Sequence, residues 1–461
     1  MVKSKESLTR KQYLGLIALS MAIFLVANDL TAFAPALPAI EEEFNADITT
    51  SQWIINGYAL VFGVLVITGG RLADLYGRRR LFIYGTLVFV FFSLLGGLAM
   101  DVRMLLVSRA LMGIGAAMMW PSILGMTYDL MPDDRSGQAG GLIMTVGALA
   151  NAVGPVLGGT LAELLSWRWI FFINIPIAAI ALLMCLKAVP FEVPEQTDEQ
   201  IDYRGVLTLS LALFCLLFAM DISAQVGFKQ PFVIILLAIF LLSICAFTMF
   251  EHRMGSYALI PGVVIGNKRF LPTAVVTLLM ATSYFSALLY IPQFLIKSQG
   301  YTAMEAGMSL IPLMIIASIF AYLSGLLYDF LGARSLASIG IFCMCVGMFM
   351  LSHLKESTTF LQLLPGLIVV GVGLGMFNPS ITTAGITAVS SSHASLAGAI
   401  IYMFKLSGGA VGLGMNATIV AYSPSIAVGI DRAFTVNAYL ALAGLIGCLF
   451  FVRDRSKEVP E

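Results

Sequence analysis

Charge is what this sequence has least of. Only 11% of its 461 residues are Asp, Glu, Lys or Arg, where soluble domains carry roughly a quarter. Too little polar surface exists to cover a water-soluble particle of this length. Histidine and cysteine are scarce as well, at 3 and 6. His252, His353 and His393 lie in or beside loops, so neither a metal site nor a buried histidine relay is expected. Cys185, Cys215, Cys245, Cys343, Cys345 and Cys448 all fall in apolar runs and read as buried packing residues rather than disulfides or metal ligands. No GxxxxGK(S/T) phosphate loop occurs, and no polar interval is long enough for an ATPase domain. No nucleophile–base or metal constellation is visible either, which excludes conventional enzyme function. Whatever work the chain does draws on an ion gradient or on a solute's own gradient, with no cofactor and no nucleic-acid partner expected.

What is present is apolar sequence in lengths of about 20 residues, the length that crosses the hydrocarbon core as a helix. Spans are expected over 13–40, 53–73, 81–100, 104–127, 138–163, 168–187, 205–222, 231–250, 270–295, 305–328, 335–353, 360–385, 396–422 and 434–452. The fold class is an all-α polytopic membrane protein with fourteen transmembrane helices. An even count places both termini on one side. With that side inward, eighteen of the 26 Lys and Arg lie on cytoplasmic segments, Lys3, Lys5, Arg78, Arg79, Arg80, Arg269 and Arg455 among them. Six lie outside: Arg103, Arg168, Lys229, Lys297, Lys355 and Arg432. That bias is the positive-inside rule. The first run carries an acid and precedes thirteen more, so it is expected to stay on the protein as a helix rather than leave as a secretory signal.

The longest polar interval, Val189 to Gly205, and a second from Glu251 to Arg269 divide the chain. The expected organisation is an N-terminal six-helix bundle over 1–187, a cytoplasmic linker over 188–204 and two additional helices over 205–250. A second linker follows over 251–269, then a C-terminal six-helix bundle and short cytoplasmic tail over 270–461. A weak repeat supports the two halves: Gly70-Arg71-Leu72-Ala73-Asp74-Leu75-Tyr76-Gly77-Arg78 after span 2 is matched by Gly325-Leu326-Leu327-Tyr328-Asp329-Phe330-Leu331-Gly332-Ala333-Arg334 after span 10. Parallel halves with a solute site between them near the midplane are a recurrent transporter design.

Asp29 is the most informative residue. It stands at membrane depth after the unbroken apolar run from Leu14 to Ala27, where an ionisable group is expensive and usually functional. Arg109, within span 4, cannot be left bare in lipid and is its natural partner. Lys405 lies about 15 Å into span 13 by helical rise; a packing role and an anion-binding role both stay open for it. No acid lies mid-membrane in spans 9 to 14, which argues against divalent cationic solutes.

Several motifs, in order along the chain, carry a family resemblance. The stretch Gly70 to Arg80 resembles the loop 2–3 signature of the major facilitator superfamily. Arg109-Ala110-Leu111-Met112-Gly113-Ile114-Gly115-Ala116-Ala117 is similar to its RxxxGxGAA element. Span 5, from Gly147 through Gly154-Pro155-Val156-Leu157-Gly158-Gly159, is similar to the antiporter signature GxxxxxxGPxxGG. Asp29 to Pro38 together with Trp167-Arg168-Trp169-Ile170-Phe171-Phe172-Ile173-Asn174-Ile175-Pro176 resembles the fourteen-span drug/proton antiporter branch.

The resemblance implies two six-helix bundles plus two extra helices between them, and proton-coupled efflux of amphipathic compounds or drugs by alternating access. It implies proton coupling by Asp29 and Arg109. It further implies a cytoplasmic latch from Gly70, Asp74, Gly77 and Arg78 with Asp329 and Arg334, and a conformational role for Gly147, Gly154, Pro155, Gly158 and Gly159. Phe33, Trp120, Asn151, Tyr290, Gln293, Asn378, Tyr402 and Lys405 are the candidate solute contacts, polar or aromatic groups of the kind that line a large apolar site. Tyr284 belongs to the same set. The expected partners are a small amphipathic solute, protons and the bilayer, with the chain a monomer in the cytoplasmic membrane. A dedicated exporter of a lipid-like or anionic metabolite is the alternative. A transporter-shaped receptor is a third reading, and such a receptor would be expected to carry a long soluble output domain.

Overall fold

The computed structural model describes residues 8–190, 202–255, 258–353 and 355–454. Lys3, Lys5 and Arg455, and most of the acidic interval after Val189, lie outside the described residues. Among the described residues every regular element is helical. Fourteen are of membrane-crossing length. They are α1 (Arg10–Asn28), α2 (Ile48–Tyr76), α3 (Arg78–Gly97), α4 (Val102–Leu130), α5 (Ser136–Leu164), α6 (Asn174–Ala188) and α7 (Tyr203–Val226). Then come α8 (Pro231–Met254) and α9 (Phe270–Gln299), with α10 (311–331) and α11 (333–351) formed where Ile311–Leu351 breaks at Gly332. The last three are α12 (Phe360–Ile386), α13 (Ala394–Ala421) and α14 (Ile426–Phe451). All are apolar enough to span a bilayer, and their outward faces carry a dense belt of exposed leucine, isoleucine and phenylalanine, as a lipid-facing surface requires.

Helix ends follow local chemistry. Thr9 and Gln12 form a reciprocal capping box on α1, and Asp101 accepts the Met104 N–H at 2.8 Å to start α4; each satisfies an amide that a helix start otherwise orphans. Gly77 (φ 98°) and Gly332 (φ 78°) sit at the matching turns of the internal repeat, between α2 and α3 and between α10 and α11. Both occupy backbone space that side chains disfavour, so glycine lets each pair of helices reverse with almost no loop.

Two expectations need correction. The first span, expected as one helix over 13–40, stops at Asn28; Asp29 is its C-cap, 29–33 turn, and a 3₁₀ turn (Ala34–Ala36) and a short helix (Leu37–Phe44) follow. Pro35 and Pro38 lack the amide protons that continuing α1 would need. The cysteines are all unpaired, but they are not all buried: Cys245 is exposed and Cys343 and Cys345 are half-buried. A thiol on an apolar helix serves the lipid face as readily as a core.

The first six long helices form one bundle and the last six a second; the apolar core of the first runs on into the start of α13 through Leu396, Ala399 and Ile400, and that of the second takes in Ala152 of α5. Helices α7 and α8 pack on one another, and α7 lies against both α2 and α13. Leu217 of α7 and Leu406 of α13 meet at Gly63 of α2, the Trp53 and Phe218 rings stand 5.4 Å apart, and Asn56 donates to Asp221 at 2.9 Å.

Candidate functional site

Asp29 and Arg109 form a direct ion pair that is closed off from solvent, with side-chain exposures of 1% and 0%. Each of the three Arg109 guanidinium nitrogens donates a hydrogen bond. Its Nε donates to the Ile54 carbonyl at 2.7 Å, Nη1 to the Asp29 carboxylate, and Nη2 to the Asp29 backbone carbonyl at 3.3 Å. The faces of Phe33 and Tyr58 cover it at 4.3 and 4.6 Å. Asn174 of α6 donates to the other Asp29 oxygen at 3.2 Å and also to Ser93 of α3, while Tyr58 donates to the Val26 carbonyl at 3.2 Å. A charge pair taken wholly out of water is tolerated only when its remaining donors and acceptors are filled in this way. The turn after α1 is what aims Asp29 inward, because it frees residues 29–33 from the helical register.

On the other side of that turn lies a cavity of about 580 Å³ between the two bundles. Leu30, Thr31 and Ala34 belong to its wall, so the ion pair sits directly behind the lining rather than in it. Five candidate contacts reach the cavity: Trp120, Asn151, Asn378, Tyr402 and Lys405, and Tyr284 joins them. Trp120 and Tyr402 pack at 4.9 Å between ring centres, and Lys405 Nζ stands 4.8 Å from the Tyr284 ring. Three others do not line it. Phe33 packs against Phe171 at 4.6 Å and over Arg109, Tyr290 is buried in the C-terminal core, and Gln293 is half-buried outside the lining.

The glycine-rich face of α5 explains how the turn is held. Side chains at Gly154 or Gly158 would collide with Thr31 and with the carbonyl of Ala32, and one at Gly159 would touch Pro35 at 3.5 Å. Gly147 and Pro155 line the cavity itself. The motif thus forms a bare strip against which the unwound end of α1 lies, a close approach only small residues permit.

A family model described as the Major Facilitator Superfamily matches residues 19–413. The chain belongs to the Major Facilitator Superfamily. It is 33% identical over 416 residues to the puromycin resistance protein pur8 of Streptomyces alboniger, covering 89% of this chain and 82% of that one. It is 28% identical over 382 residues to multidrug resistance protein 3 of Bacillus subtilis, covering 83% and 73%. The methylenomycin A resistance protein of Bacillus subtilis is 27% identical over 451 residues, covering 97% and 96%. In three dimensions the chain is similar to the crystal structure of the human organic anion transporter MFSD10 (TETRAN), with a TM-score of 0.69 over 95% of this chain and 99% of that one. At 13% identity that likeness speaks for the fold alone.

In this Major Facilitator chain the loop after α2 ties the two bundles together. Asp74 accepts the backbone N–H groups of Ser395 at 3.3 Å and Leu396 at 2.9 Å, in the first turn of α13. Arg78 bonds Asp74 at 3.0 Å, the Asp129 carboxylate and the Ser391 carbonyl. A carboxylate from one half therefore caps a helix of the other, where orphan amides and the helix dipole favour negative charge. Gly70 lies flush against Leu396 and Ala399 of the same helix. In the second half Asp454, beyond α14, accepts the Arg334 backbone N–H at 2.9 Å, and Gly325 of α10 backs directly onto Gly141 of α5. Asp329 and Arg334 are at this same end of the molecule as the first loop, flanking the Gly332 turn.

The sequence reading did not single out Tyr58, Ser93 or Asn174 as site residues. Asn174 carried a usable signal, as an amide within the apolar run after Trp167. Tyr58 and Ser93 carried none, since a hydroxyl that serves a neighbouring helix reads like any other.

Proposed function

We propose that this transporter exports amphipathic organic compounds, drugs among them, across the cytoplasmic membrane by proton antiport and alternating access. The observation that carries this reading is the Asp29–Arg109 pair, wholly buried and one layer behind the wall of an apolar cavity between the halves. Bonded to Arg109, Asp29 serves as a carboxylate. Parted from Arg109 in a dry site, it takes up a proton rather than stand as an isolated buried charge. Leu30 and Thr31 couple the two events, because a solute that displaces them moves the backbone from which Asp29 hangs. The resistance-linked names of the relatives support the solute class. The excess of Lys and Arg at one end supports inward termini, and the chain is proposed to act as a monomer.

Proteoliposomes test this. With an imposed pH gradient and no ATP, wild-type protein is expected to move members of a panel of neutral and charged amphipathic dyes, and a protonophore is expected to stop it. Transport that persists without any ion gradient overturns the antiport reading. Asp29→Asn should remain inserted yet lose gradient-driven movement. If it still releases protons on solute addition in detergent, the coupling group lies elsewhere, with Asp129 and Asp221 the next carboxyls to examine.

A further inference from the structure

The cavity wall is electrically lopsided. Lys405 is the one charged residue among those that line it, and the rest of its polar lining is neutral: Asn151, Asn378, Tyr284, Tyr402 and three threonines. No described carboxylate pairs with Lys405; its close neighbour is the Tyr284 ring face at 4.8 Å. Asp29, behind the wall, is already spent on Arg109. An aromatic face eases a cation but does not neutralise it. Lys405 therefore meets no counter-charge from the protein, and it holds a full charge best when a solute supplies one.

We infer that the cavity takes organic anions: amphipathic, ring-bearing molecules with a carboxylate, sulfonate or phosphate-type group that Lys405 reads. This rests on the reading of the cavity as the solute site, and it goes further by naming the charge of the solute. An incoming anion supplies the counter-charge that the wall lacks, while its apolar body lies on Trp120 and Tyr402. An incoming cation meets a like charge with no acid to offset it, a juxtaposition that rejects wrong partners. The lysine is a long, flexible point charge, so it can follow anions of different shapes while the apolar wall accepts their bodies.

The test is equilibrium binding in detergent, without any gradient, using two dyes of one ring system and opposite charge: fluorescein and rhodamine 6G. Wild-type protein should bind fluorescein at least about tenfold more tightly. Lys405→Met should lose about tenfold or more for fluorescein while rhodamine 6G changes less than about twofold. Lys405→Arg should keep the wild-type order and Lys405→Glu should reverse it. Equal binding of both dyes by wild type, or a preference for the cation, overturns the inference. So does a Lys405→Met variant that keeps its preference or loses both dyes alike, since the lysine then supports the shape of the cavity and does not read charge. Because binding needs no proton gradient, a failure of antiport leaves this result standing, and gradient-driven export with no charge preference sinks the inference alone.

Discussion

Asp74 and Leu396 are 322 residues apart, and the carboxylate of the first accepts the backbone N–H of the second at 2.9 Å. This contact and its neighbours at Ser395 and Arg78 are among the polar ties that hold the halves together at the end bearing the loop signature, with Tyr128 and Thr383 joined at 2.9 Å. Hydrogen bonds to charged groups contribute about 1.5–3 kcal/mol each, so losing even one moves a two-state equilibrium by about one to two decades. Asp74→Ala should therefore open that end. Cysteines placed nearby should label at least about tenfold faster, with transport reduced and detergent binding of solute little changed. Unchanged labelling at equal expression would leave the loop a topology signal only.

The bare strip on α5 invites a steric test. A methyl at Gly158 lands on the Ala32 carbonyl, which is backbone and cannot swing aside. Gly158→Ala should cost about 1–3 kcal/mol by overpacking and displace the turn that positions Asp29. The expected result is an inserted protein that has lost transport, whereas Gly147→Ala, where the added carbon has only a contact at 3.9 Å, should keep most of it.

The buried pair makes a thermodynamic prediction that a mere surface ion pair would not. Removing one partner strands a charge, at about 3–5 kcal/mol. Arg109→Gln and Asp29→Asn should each lower the melting temperature, with Asp29→Asn the worse because it strands a guanidinium that cannot shed its proton, whereas a lone Asp29 can take one up. The double variant should recover part of that loss. Additive single losses would mean that the two groups are not energetically coupled.

At the opposite end, Arg168 clasps Glu43 through two oxygens and Trp167 donates to the same carboxylate at 2.8 Å. Arg168's hydrogen bond, aided by that from Trp167, holds the Glu43 carboxyl below the usual carboxylate range against a raising effect of burial. A lowered folded value means the contribution is complete above the unfolded value of about 4.3 and is lost as the pH falls through the folded one. Both side chains are partly exposed, so the effect is small, about 0.2–1 kcal/mol. Glu43→Gln should flatten the loss of thermal stability below about pH 4.5 and change nothing at pH 7 beyond that fraction of a kcal/mol.

Legibility in the sequence varied with the contrast each feature offered. Fourteen crossings stand out because charge and apolar length oppose one another so sharply. Asp29 and Arg109 stand out for the same reason, as isolated ions in apolar runs. The break after Asn28 does not, since the apolar text continues through it and prolines are tolerated in membrane helices. Nor could the sequence separate Phe33 and Tyr290 from Trp120 and Tyr402. In water a helix marks its outer face with polarity, but here the lipid side, the bundle core and the cavity are all apolar. Periodicity then identifies a helix without saying which way it faces.

The placement of α7 makes the molecule one-sided toward the bilayer. The halves meet along two seams, one where α2 faces α13 and one where α5 faces α10. The first is shuttered: α7 lies across it from Trp53 to the Gly63 junction. A solute dissolved among the acyl chains meets a wall there, so sideways entry along that seam requires α7 to move.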